Sequence, residues 1–152
     1  MLGGYFMNLA LVIAGLVVVL DQLTKYAVVQ LLPYLSSRPV IPGVFYFTHV
    51  RNVGAAFGLF AEQRVLFIVA FVLITVAFFV FRSELRQLGM LALVASGLVL
   101  GGALGNAIDR VWLGYVVDFF DFKVWPVFNV ADSAIVVGSI LLAFCVMRAD
   151  GK

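Results

Sequence analysis

Charge is what this chain has least of. Asp, Glu, Lys and Arg make up 12% of its residues, about half the share of roughly 25% that soluble domains carry. Hydrophobic residues make up 64%, and mean hydropathy is +1.16. That balance excludes a soluble domain with a large core and points to a protein that crosses a membrane several times. The net charge of +2 is small and dispersed, so no nucleic-acid partner is expected. Cysteine occurs once, at Cys145, which rules out an internal disulfide. Its apolar neighbours mark it as a small packing residue. Histidine also occurs once, at His49, and neither HExxH nor CxxC is present. Metal chemistry is therefore not expected. No Lys or Arg precedes Lys25. The first apolar run lacks the basic start of a signal peptide and is expected to be a retained span.

What the chain does have is long apolar runs. At 152 residues it forms one domain by length. A spanning helix takes about 20 mainly apolar residues, and four segments qualify, at about 6–31, 63–82, 88–110 and 128–148. The segment 82–87 reads as a short charged turn. The 33–60 stretch contains Pro33, Pro39, Pro42 and Gly43, then VFYFTHV, which is aromatic, β-branched and strand-like. The 111–127 connector mixes aromatics with Asp118, Asp121 and Lys123. Four spans put both termini and the 82–87 turn on one side. Basic residues fall on both sides, with Arg82, Arg86, Arg148 and Lys152 against Lys25, Arg38, Arg51, Arg64, Arg110 and Lys123, so charge counting gives no orientation. Gly97, Gly101 and Gly105 recur every four residues, the spacing of a close helix-packing seam.

Four of the eight acidic residues lie between Gly102 and Ser133. Carboxylates in or beside a bilayer are costly and usually face a partner or a wet cavity. Asp118 and Asp132 are the candidate catalytic pair. On position alone, Asp118 also reads as a solvated loop acid and Asp132 as a helix cap. Asp121 reads as a solvated loop acid. Asn129 shares a helix face with Asp132, three residues on. Gly102, Asn106 and Arg110 follow at i, i+4 and i+8, on one face of the third span. Arg110 and Asp109 there also read as side chains reaching the headgroups. Asp21 and Lys25 are four apart, spaced for an ion pair that either anchors the first helix or orients the site. Asn52 and Gly54, in RNVGAAFG, suit a tight turn with a polar side chain offered to a neighbour. Ser133 reads as a helix polar residue.

Two carboxylates held close cannot both ionise easily, so the pair shares a proton near neutral pH. One then takes a proton from water while the other hydrogen-bonds a scissile carbonyl, which is peptide hydrolysis.

The blocks DQLTK from Asp21, RNVGAAFG from Arg51, GALGNAIDR from Gly102, VVDF from Val116 and FNVADSAI from Phe128 occur in this order across nearly the whole chain. In this the sequence resembles the lipoprotein signal peptidase (signal peptidase II) family of bacterial membrane aspartyl peptidases. The resemblance implies an all-α membrane protein with a small β element, in which four transmembrane helices carry an extracytoplasmic β-cradle at about 33–60. It implies Asp118 and Asp132 as catalytic residues, supported by Asp21, Lys25, Asn52, Gly54, Gly102, Asn106, Arg110, Asn129 and Ala131. It further implies a monomer in the bacterial cytoplasmic (inner) membrane, with cytoplasmic termini and the site toward the outer leaflet. The implied partners are membrane lipid, a diacylglyceryl-prolipoprotein substrate cut before its lipidated Cys, and the cyclic peptide inhibitor globomycin. No metal or cofactor is implied. Three readings compete, one of them a structural membrane subunit, which would tolerate Asp118→Asn. A proton-coupled transporter or channel would line a path across the bilayer with its acids, whereas here they gather at one end. A Ser/Lys peptidase would use Ser133 with Lys25 or Lys123. A GxGD motif is absent.

Overall fold

The computed structural model describes residues 3–54 and 64–150. In chain order the elements are α1 (Gly3–Leu31), β1 (Ser37–Ile41), β2 (Phe45–Asn52), α2 (Arg64–Val80), α3 (Arg82–Gln87), α4 (Met90–Trp112), β3 (Val116–Asp121) and α5 (Val130–Asp150). Among the described residues, three helices are long and apolar enough to cross a membrane, at Asn8–Leu31, Met90–Trp112 and Val130–Ala149. The expected second span is α2, an apolar helix of 17 residues, shorter than the usual crossing of about 20. The expected charged turn at 82–87 is instead the short helix α3.

The central helix is α4, packed against α1 on one side and α5 on the other. Its small residues make this possible. A Cβ on Gly97 would lie 2.5 Å from the Ala10 carbonyl oxygen, and one on Gly101 would lie 2.6 Å from that of Ala14. The expected glycine seam is thus the α1–α4 contact, where backbones approach closely. Large apolar side chains point outward instead, among them Leu16, Leu23, Leu73, Ile140 and Met147. With no water to avoid in a bilayer, that outward surface is the lipid-facing one.

The strand-like 33–60 stretch forms a hairpin, β1 and β2, turning at Gly43 with φ +80°; residues 55–60 of that expected unit lie outside the described residues. A third strand joins it. β3 pairs antiparallel with β2, giving the order β1-β2-β3. Sequence reading placed these residues in a connector. Two Asp residues interrupt the apolar run VVDFFD, and the pairing partner lies far off in sequence. The β2–β3 register shifts between Phe47 and Val50, a bulge of the kind that re-aims side chains beside functional sites. Past the bulge, Val50 stands opposite Asp118 and Asn52 opposite Val116. Phe45, Phe47, Phe119, Phe120, Phe122 and Phe128 form a continuous chain of ring contacts around β2 and β3. The Phe128 carbonyl accepts from the backbone N–H groups of Phe119 and Phe120, and the Phe128 N–H donates to the Phe120 carbonyl. This ties the chain entering α5 to the strand that carries Asp118. His49 docks the sheet on α1, its ring Nδ1 donating to the Leu32 carbonyl at 2.9 Å.

Candidate active site

Asp118 and Asp132 line one cavity of about 780 Å³. They arrive from different elements, Asp118 from β3 and Asp132 from the first turn of α5. Asn129 links them. Its side-chain amide donates to Asp118 Oδ1 at 2.7 Å and its backbone N–H donates to Asp132 Oδ2 at 3.3 Å. Its side-chain oxygen in turn accepts from the Asp132 backbone N–H at 2.8 Å. The exchange between Asn129 and Asp132 is a capping box, two end groups satisfied reciprocally. The reading of Asp132 as the cap is therefore corrected. Asn129 occupies the cap position, and Asp132 is the residue three on that reaches back.

The two remaining oxygens are held by amides as well. Asn52 donates to Asp118 Oδ2 at 2.8 Å, and Asn106 donates to Asp132 Oδ1 at 2.7 Å. Each carboxylate oxygen thus accepts from a neutral donor. Among the described residues neither carboxylate forms an ion pair. Asp118 is 1% exposed, whereas Asp132 is half-buried. Burial, and then the neighbouring charge of Asp132, push the Asp118 carboxyl up to about 7. A carboxyl there keeps its proton close to neutral pH, as acid–base work requires.

Behind the pair lies a layer of charge. Lys25 sits 2.8 Å from Asp21 Oδ2 and 3.0 Å from Asp109 Oδ2, and donates to Asn106 Oδ1 at 3.0 Å. The spacing of Asp21 and Lys25 does make the expected pair, 0% and 3% exposed. An ion pair this deep holds only with every lone pair and proton engaged. Here they are. Asp21 Oδ1 accepts from the Ala131 backbone N–H at 2.9 Å, and Gln22 donates to Asp109 Oδ1 at 3.0 Å. Asp109 Oδ2 also accepts from the Val117 N–H at 3.1 Å, fixing β3 one residue before Asp118. The headgroup reading of Asp109 is wrong, because it is 3% exposed and faces inward. Gln22 and Asp109 are the site residues that sequence reading missed. Both lie inside the blocks that carry the resemblance, Gln22 in DQLTK and Asp109 in GALGNAIDR, and no local spacing marked either.

The other expected residues fall in place around this layer. Arg110 donates to the Gly54 carbonyl at 3.1 Å and to the Asn106 carbonyl at 3.3 Å, its guanidinium 4.0 Å above the Phe67 ring. Gly54 donates its N–H to Asn52 Oδ1 at 2.9 Å, which orients the Asn52 amide toward Asp118. A Cβ on Gly102 would strike the Ala131 carbonyl oxygen, and one on Gly105 would lie 2.7 Å from Asp21 Oδ2. Asp121 is not solvated. It is 4% exposed, accepts from Thr48 at 2.6 Å and pairs with Lys123 at 2.6 Å. It stands apart from the cavity. Ser133 lines the cavity and donates to the Asn129 carbonyl at 2.9 Å. Neither lysine reaches it, since Lys25 and Lys123 are held by acids.

The cavity has a polar end, made by Asn52, Asn106, Arg110, Asp118 and Asp132, and a long apolar wall that includes Phe67, Phe71, Ile74, Val136 and Trp125. It can take a ligand with a polar reacting group and a greasy remainder.

Known proteins resemble this chain in sequence and in fold. Residues 13–148 match the family model described as signal peptidase (SPase) II. A lipoprotein signal peptidase of Halothermothrix orenii is 45% identical over 86% of this chain and 90% of its own. One of Caldanaerobacter subterraneus is 46% identical over 94% and 99%. A bacterial membrane enzyme structure obtained by the in meso method at 2.3 Å resolution superposes with a TM-score of 0.85 at 36% identity, covering 91% of this chain and 87% of that one. The chain belongs to the signal peptidase II family of aspartic peptidases.

Proposed function

We propose that this chain removes the signal peptide from diacylglyceryl-modified prolipoproteins, cleaving before the lipidated Cys, with Asp118 and Asp132 as the catalytic pair. The observation that carries the reading is that both carboxylates open onto one amphiphilic cavity and are held by amides alone. Asp118, the more deeply buried, keeps the shared proton. Asp132, open to the cavity, takes a proton from water as the water oxygen bonds to the scissile carbonyl carbon. Asp118 gives its proton to the carbonyl oxygen. In the tetrahedral intermediate the nitrogen then takes a proton from Asp132, and the C–N bond breaks. A hydroxyl proton returns to Asp118 as the new acid and amine leave. Water is the only co-reactant. Asn52, Asn106 and Asn129 keep both carboxylates aimed throughout.

In this reading α2 is a fourth crossing, the termini are cytoplasmic, and the sheet lies on the extracytoplasmic face of the bacterial inner membrane. The enzyme works as a monomer. Its acyl-bearing substrate lies along the apolar wall, and globomycin competes for the same cavity. A transporter is disfavoured by the position of the acids at one end of the bundle. A Ser/Lys mechanism is disfavoured by the engaged lysines, so Ser133→Ala should retain cleavage.

The test is a gel-shift assay on a lipidated precursor with Asp118→Asn and Asp132→Asn made separately. Loss of turnover by about a hundredfold or more in each is expected. Near-normal cleavage by either variant removes that residue from the mechanism.

A further inference from the structure

A second cleft of about 600 Å³ lies where α2 meets α3, at the opposite end of α2 from the catalytic cavity, whose wall uses Phe67, Phe71 and Ile74. Val76, Phe79 and Val80 supply its apolar side and Arg82, Ser83 and Arg86 its polar rim. The three apolar residues are 52%, 45% and 62% exposed, so they form an outward surface rather than part of the core. Short helix α3 is itself anchored. Leu85 is buried in a cluster with Ala10, Phe78 and Leu93, which turns Arg82 and Arg86, one helical turn apart, outward.

The two arginines are not consumed by acids. Arg82 donates to the Phe79 carbonyl at 3.2 Å, which fixes its guanidinium at the rim and leaves further N–H donors open. The Arg86 side chain forms no hydrogen bond or ion pair among the described residues. Glu84, the acid of α3, accepts from Ser83 at 2.7 Å and is absent from the cleft lining. Two planar cations thus stand over a lipid-exposed apolar groove. Guanidinium groups match phosphate oxygens with paired hydrogen bonds, and an apolar groove directly below suits the acyl chain attached to that phosphate.

We propose that this cleft binds one anionic phospholipid of the leaflet opposite the catalytic cavity, its phosphodiester between Arg82 and Arg86 and an acyl chain along Val76, Phe79 and Val80. The site is separate from catalysis and does not depend on the peptidase reading. Charge complementarity selects the occupant. A zwitterionic lipid brings its own cation to the two arginines, and a soluble phosphate leaves the groove unfilled.

The full chain in nanodiscs, analysed by native mass spectrometry, provides the test. With phosphatidylglycerol and phosphatidylcholine in equal amounts, the protein should retain the anionic lipid with a preference on the order of tenfold. Arg82→Gln with Arg86→Gln should bring that preference close to unity, while cleavage of a lipidated precursor in detergent is unchanged. Should the double variant fail to fold, Arg86→Gln alone should still lower the preference roughly threefold. Glycerol phosphate in solution should not displace the lipid. The proposal fails if the wild type shows no preference, if preference survives in the variants, or if glycerol phosphate competes as well as lipid does.

Discussion

Asn129 and Asp118 are joined by a hydrogen bond of 2.7 Å between two fully buried side chains. The same asparagine caps α5 through its side chain and holds the Asp132 carboxylate through its backbone N–H, so one residue sets the helix end and links the two acids. Asn129→Ala should lower turnover by about a hundredfold or more and remove about 1 kcal/mol of helix capping. The gel-shift rate and thermal unfolding in detergent read the two effects separately. Asn129→Asp puts an acceptor against Asp118 where a donor stood and should be equally inactive.

Lys25 is shared by Asp21 and Asp109, all three nearly without exposure. Lys25→Met leaves two buried carboxylates without their cation. It should destabilise the protein by about 3–5 kcal/mol, seen as a large fall in Tm. Asp109→Asn keeps a side chain of the same size, and Lys25 keeps Asp21. Its cost should be smaller, about 1–3 kcal/mol. Equal falls in the two variants would show that the charge layer does not work as a unit.

The pH profile follows from Asp118. Its carboxyl is raised from 3.8 to about 7 by burial and by Asp132. The folded chain thus holds a proton that the unfolded chain releases. This contribution to stability is fully present below pH 3.8 and is lost as pH rises through about 7. In the proposed mechanism cleavage uses the same proton, so kcat/KM should fall on the alkaline side with a limb near 7. Rates measured on a lipidated precursor across neutral pH check this. A profile flat through pH 7 and upward would contradict it.

Gly102 sits where α4 crosses α5, and an added Cβ meets the Ala131 carbonyl oxygen. Backbone cannot yield as a flexible side chain does, so Gly102→Ala should cost about 1–3 kcal/mol and separate Asn106 from Asp132. Gly15, also helical, has nothing within 4 Å of its would-be Cβ. Gly15→Ala should be neutral or stabilise by up to about 1 kcal/mol. Tm of the pair, measured side by side, distinguishes close approach from generic helix propensity.

Local spacing made part of this site legible. Asp21 and Lys25 had to share a helix face, as did Asn129 and Asp132, and the structure joins each pair. What stayed hidden depended on distant chain. β3 forms because β2 lies beside it, and nothing within VVDFFD shows that partner. Asp121 looked solvated because its shelter comes from Thr48 on the central strand β2 and from Lys123, at φ +64° just past β3. Asp109 looked like a headgroup contact because the third helix ends near it. Only the position of Lys25 on another helix shows that it faces inward.

The hydrogen bond from Ala131 N–H to Asp21 Oδ1 at 2.9 Å closes a loop of 110 residues. One partner stands on the first helix and the other on the last. The chain leaves the ribosome with Asp21 early and Asp132 late, and every donor to Asp132 lies on α4 or at the start of α5. In the proposed mechanism a chain that lacks α5 also lacks Asp132, so the catalytic pair is complete only when the last helix has joined the first.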